Sequence, residues 1–131
     1  MRYGVRSALL TLTALLVATA ASFAHHSVPG QFATTKPITL TGVISKVDWI
    51  NPHIYLHLDV KEDNGTVTTW ALATLPTAMM RRAGQTRESV QGKPGEVVTI
   101  AAVPARDGTK HLGWINKITY ADGHTIALNG Q

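Results

Sequence analysis

The stretch Pro37-Ile38-Thr39-Leu40-Thr41-Gly42-Val43-Ile44-Ser45-Lys46-Val47-Asp48-Trp49 decides the fold. It is rich in β-branched residues, and Ile38 and Leu40 hold one alternation phase. Past Gly42, Val43, Val47 and Trp49 fall on the other phase. A one-residue slip at a glycine is what a β-bulge produces, so the stretch reads as one long strand bent at Gly42.

Downstream, Ile50-Asn51-Pro52 interrupts the strand, because proline cannot donate to a ladder and pushes Asn51 toward extended backbone. His53 to Lys61 then alternates, with Ile54, Leu56, Leu58 and Val60 on one face and His53, Tyr55, His57 and Asp59 on the other. Glu62-Asp63-Asn64-Gly65 is a turn with two possible registers. A two-residue Asn-Gly loop sets Trp70 beside Asp59; a three-residue loop with Gly65 left-handed pairs Trp70 with Leu58 and Leu72 with Leu56. The second register buries the apolar residues together and is preferred. Thr66 to Ala73 is the third strand.

Pro76, Ala78, Met79, Met80, Arg81, Arg82 and Gly84 spell one short helix. A short turn at Thr86–Val90 and the loop Gly92-Lys93-Pro94-Gly95 follow. Strands are expected again at Glu96–Val103, His111–Tyr120 and His124–Leu128, joined at Arg106-Asp107-Gly108 and Ala121-Asp122-Gly123. This order describes a mostly β chain forming a small OB-like β-barrel, with one short helix between strands three and four. A two-sheet β-sandwich is the alternative. Residues 37–131 form the single barrel domain, preceded by residues 25–36 as an extended N-terminal arm.

Residues 1–24 have the three parts of a secretory signal peptide. Arg2 and Arg6 precede an apolar stretch from Ala8 to Ala21, and Ser22-Phe23-Ala24 offers small residues to a signal peptidase. The stretch is shorter than the roughly 20 residues that span a bilayer, so no stable membrane insertion is expected after cleavage. The expected address is the periplasm or the exterior, with cleavage near Ala24 and His25 as the first mature residue. The leader holds two of the 12 Lys+Arg and no acid, so the mature part carries ten bases against eight acids, scattered along the chain. That balance argues against nucleic acid as a partner. With no cysteine the barrel holds by packing and hydrogen bonds alone, and cysteine catalysis is excluded.

Three stretches, Ala24-His25-His26-Ser27, Trp49-Ile50-Asn51-Pro52-His53 and Arg106-Asp107-Gly108, make the chain resemble a family of small exported bacterial proteins of unknown function. The resemblance extends through Lys36-Pro37-Ile38-Thr39-Leu40-Thr41-Gly42, Trp70, Gly84 and Thr86-Arg87. Gln85 departs from it, standing where the family pattern often looks aromatic. The resemblance implies export and one compact domain, and no reaction.

Two groups of residues are candidates for binding. A free α-amine and the imidazoles of His25 and His26, with His53 as a further ligand, suit Cu(II) or Zn(II), copper having the higher intrinsic affinity. His53 read without a metal is a corner histidine bonded to nearby backbone. His53 and His57 are about 13 Å apart along one strand and cannot share an ion unaided. The outer face of strands two and three is the usual binding face of OB-like barrels, and here it presents Tyr55, His57 and Asp59. Trp49, Trp70 and Trp114 read as core and barrel-end residues, Met79 and Met80 as packing, and His111 and His124 as solvated. Asp48, Asp59, Glu62 and Asp63 form no acid–base pair in the sequence, Ser27, Ser45 and Ser89 lack a nucleophile's setting, and no phosphate loop is present. The chain is therefore expected to be an exported, non-enzymatic module for a small ligand. A copper- or zinc-binding protein is the first alternative; a small hydrolase or an assembly partner follows. The oligomeric state is left open.

Overall fold

A computed structural model describes residues 27–128. Six strands, β1 (Ile38–Asp48), β2 (Tyr55–Lys61), β3 (Val67–Ala73), β4 (Val97–Pro104), β5 (Leu112–Thr119) and β6 (Thr125–Ala127), form one sheet in the order β3-β2-β1-β4-β5-β6. Parallel pairing of Ala71–Ala73 with Leu112–Trp114 joins β3 to β5 and closes five strands into a barrel, while β6 extends β5. The other pairings are antiparallel. This is the expected OB-like barrel, not the sandwich.

The β2–β3 hairpin adopts the register that hydrophobic pairing predicts, with Leu56 opposite Leu72 and Leu58 opposite Trp70. Gly65 takes the left-handed φ of 86° that a three-residue loop requires. Leu56, Leu58, Leu72, Ile100, Ile115 and Ile118 fill the interior and are inaccessible to solvent.

The bend in β1 lies three residues beyond its expected place. Pairing with β2 slips between Ile44 and Lys46, so Ser45 is the extra residue. Gly42 and Ile44 still point inward, and the inward phase moves to Val47 only after the bulge. Gly42 has another role: a Cβ there would stand 2.3 Å from the Asp59 carbonyl oxygen. It is the place where β1 passes from its β4 pairing to its β2 pairing, and only a residue without a side chain admits both neighbours.

Two short helices, not one, follow β3. The first after β3, α2 (Thr77–Arg82), has Asn51 at its entrance; the Asn51 Oδ1 accepts from the Thr77 N–H and hydroxyl at 3.3 and 2.9 Å. Next comes α3 (Arg87–Gln91), where the sequence reads only as a short turn. Reciprocal bonds between Thr86 and Ser89 cap it, and it buries Val90, whose carbonyl accepts the Tyr120 hydroxyl at 2.7 Å. Ahead of the barrel, the described part of the expected extended arm instead contains one helical turn, α1 (Val28–Gln31), with Pro29 preset for helical φ. The turn ends at Phe32, which is buried and bridges to Ala105.

Candidate functional site

Strand alternation puts Tyr55, His57 and Asp59 on the outer face of β2, as expected, but each has its own partners. Register places Ala73, Ala71 and Thr69 of β3 directly beside them, and Trp114 and Leu112 of β5 beyond Ala73 and Ala71. Ala71 is half-buried beside His57, whereas Ala73 is buried in a cluster with Phe32, Val103 and Trp114. Asp59 is engaged with Thr69, whose hydroxyl donates to Oδ1 at 2.6 Å.

His57 sits in a charged cluster that the sequence did not reveal. Its Nε2–H donates to Asp48 Oδ2 at 2.8 Å, and Lys46 Nζ lies 2.8 Å from Asp48 Oδ1. The bulge at Ser45 brings this about by turning both Lys46 and Asp48 toward the β2 histidine. Lys46 first, then His57, hold the Asp48 carboxyl below its ordinary value by hydrogen bonds that favour its charged form. With Nε2 committed to Asp48, Nδ1 is the ring's remaining atom for a ligand. The His57 and Asp48 side chains are 28% and 30% exposed, so a ligand can reach the pair.

Tyr55 belongs to the neighbouring apolar cluster at the end of the barrel. There Phe32, Ala73, Val103 and Trp114 are buried, with Val28, Tyr55, Leu75 and Leu112 packed against them. Phe32 lies 5.8 Å from the Trp114 ring, and His53 meets the same ring edge-on at 5.3 Å. His53 is the backbone-bonded corner histidine: its Nδ1–H donates to the Thr74 carbonyl at 3.1 Å. Arg106 fastens the α1 segment through Nε to the Pro29 carbonyl at 3.0 Å and its backbone N–H to the Gln31 carbonyl at 2.8 Å. Between α1 and the β4–β5 turn is an open cleft of about 310 Å³, lined by Gly30, Gln31, Phe32, Arg106, Asp107 and Leu112.

Ser27, His53 and Arg106, from the three stretches that carry the family resemblance, thus flank one apolar cluster from distant points of the chain. The sequence placed Arg106 only in a turn, because its role depends on where α1 docks. His25 and His26 lie outside the described residues. His111 and His124 are exposed but not merely solvated: His111 meets Trp70 edge-on, and His124 pairs with Asp122 and stacks on Tyr120. Met80 is buried in the core, and Met79 is exposed. Among the described residues, no three His, Asp or Glu side chains gather as a metal site, and no helix is long and apolar enough to cross a membrane.

No curated protein and no solved structure matches the chain. Residues 13–125 match a family of unknown function, DUF6152, and the chain belongs to that family.

Proposed function

We propose that the chain is an exported, non-enzymatic binding module whose ligand face is the outer surface of β2 and β3 around His57. The observation that carries this reading is the Asp48–His57 pair, which holds an imidazole in one orientation beside the half-buried Ala71. A fixed imidazole beside an apolar side chain suits a small ligand with an apolar part and a hydrogen-bond donor that meets Nδ1. Among the described residues, no serine, threonine or tyrosine hydroxyl bonds to the His57 ring, which supports binding over nucleophilic chemistry. Export rests on the leader pattern of residues 1–24, which lie outside the described residues.

The test is amide-correlation NMR on protein recovered from the envelope, screened with small aromatic compounds that carry a hydroxyl or N–H donor. Perturbations should cluster on residues 55–59 and 69–73, and His57→Ala should weaken the best binder about tenfold, the loss of one hydrogen bond to Nδ1. Perturbations confined to other surfaces, or turnover of a compound that His57→Ala abolishes, would overturn the reading.

A further inference from the structure

We propose that the cleft between α1 and the β4–β5 turn binds a free, zwitterionic α-amino acid with an apolar side chain. Arg106 takes the carboxylate, Asp107 the ammonium group, and Phe32 with Leu112 the side chain. The site shares no residue with the His57 face and does not rest on that reading.

Arg106 is a positioned cation without a counter-charge. Its Nε–H donates to the Pro29 carbonyl at 3.0 Å, and Nη2 donates to the Phe32 carbonyl at 3.4 Å. Both acceptors are neutral, so the guanidinium is held in place with its charge uncompensated. Among the described residues, no carboxylate lies within ion-pair distance of it, and Nη1 has no acceptor. A guanidinium with free N–H groups matches a carboxylate in both geometry and charge.

Asp107 is its opposite in the same cleft. Its Oδ1 accepts from the Thr109 N–H at 2.9 Å and from the Thr109 hydroxyl at 2.7 Å. Those bonds, the N–H first, hold the carboxyl below its ordinary pKa, and among the described residues Oδ2 has no donor. Arg106 and Asp107 are consecutive, with Cα atoms about 3.8 Å apart. They form no ion pair with each other, yet both line the cleft. A plain carboxylate ligand would meet Asp107, and a plain amine would meet Arg106; like charges repel. A zwitterion complements both. A peptide carries its terminal charges far apart, whereas a free α-amino acid carries both on one carbon.

The walls set the third group. Phe32 and the half-buried Leu112 supply apolar surface. The volume of about 310 Å³ lies at the low end for small-molecule sites, roughly 300–1,000 Å³, and suits one amino acid. The two sides of the cleft are tied together: the Arg106 N–H donates to the Gln31 carbonyl at 2.8 Å and the Ala33 N–H to the Pro104 carbonyl at 2.9 Å. A ligand therefore meets a site already in shape.

The test is amide-correlation NMR on the full chain, titrated with leucine, with isocaproate, which lacks the amine, and with isoamylamine, which lacks the carboxylate. Leucine should shift residues 30–32, 105–107 and 112. It should bind about fivefold tighter than either analogue, a modest factor because each charge contact is open to solvent. Asp107→Asn keeps an Oδ1 acceptor for Thr109 and removes the charge. It should weaken leucine several-fold without weakening isocaproate, so that leucine loses its advantage. Arg106→Gln should weaken leucine and leave isoamylamine unchanged, with protection of the Ala33 amide reporting whether α1 stays docked. If α1 comes loose in that variant, Asp107→Asn, which breaks no bond to α1, decides alone. Leucine shifts confined to residues 55–59, no leucine shifts at tens of millimolar, or an unchanged leucine-to-isocaproate ratio in Asp107→Asn would each overturn the site.

Discussion

Asp48 shows how one side chain acquires a role only when a strand shifts by one residue. In the sequence it is an isolated carboxylate at the end of β1. The extra residue at Ser45 sets it against His57 with Lys46 on its other oxygen. Its lowered pKa carries a sign: the folded form binds protons less readily than the unfolded chain. The contribution to stability is therefore full above the ordinary carboxylate range and is lost as pH falls through the lowered folded value. The group is partly exposed and screened by solvent, so the effect is small. Lys46→Ala, which removes the largest cause, should raise the Asp48 titration midpoint toward the ordinary carboxylate value, as followed by carboxyl-carbon NMR. No change would mean that Lys46 does not hold Asp48 in solution. His57 itself was legible as an outward residue, because strict alternation leaves it no other face. Its partner was not, because no local pattern distinguishes a bulge at Ser45 from one at Gly42.

Among the elements, α1 and its anchor Phe32 show the limit of local reading. Residues 25–36 lack a hydrophobic period, and an aperiodic stretch with proline and glycine reads as extended. Phe32 nevertheless finds Trp114, Val103 and Ala73 on the outside of the barrel and buries there. Truncating it removes one of the four buried side chains of this cluster. Phe32→Ala should cost about 3 kcal/mol in urea unfolding, near the lower end for buried phenylalanine because the cavity opens at the surface. The Ala33 amide, now bonded to the Pro104 carbonyl, should also exchange faster with solvent. A loss under 1 kcal/mol would show that α1 is not held in solution as described. The β2–β3 hairpin is the opposite case. Its register is legible in the sequence because one wrong step would turn Trp70 and Leu72 outward. Helix α3 is not legible in the sequence because five residues are too few to display a helical period.

At the scale of the whole molecule, closure is the event that makes the site. Ala71–Ala73 meets Leu112–Trp114 across the chain, and that seam sets Trp114 beside Ala73 and Leu112 beside Ala71. Gly113 lies in the seam, where a Cβ would stand 2.9 Å from the Val103 carbonyl and 3.2 Å from Leu72 Cδ2. Backbone on one side cannot yield, so Gly113→Ala should destabilise the barrel by about 2 kcal/mol, read from its unfolding midpoint. Exchange of the Ala71 amide, which donates to the His111 carbonyl at this seam, should quicken as well. An unaltered midpoint would indicate that β3 and β5 are not tightly joined.

The sequence by itself determined the strands, the hairpin register, the OB-like order and the outward face of Tyr55, His57 and Asp59. Each follows from alternation, turn chemistry or the need to bury apolar side chains, which act over a few residues. Tertiary structure alone decided the Asp48 partnership, the use of Arg106 as a clamp and the meeting of His53 with the Trp114 cluster. The Asp48–His57 contact crosses a strand pair nine positions apart, and Arg106 reaches Pro29 across 77 positions. They depend on where a bulge falls and how a barrel closes, and neither is written in any short stretch of chain.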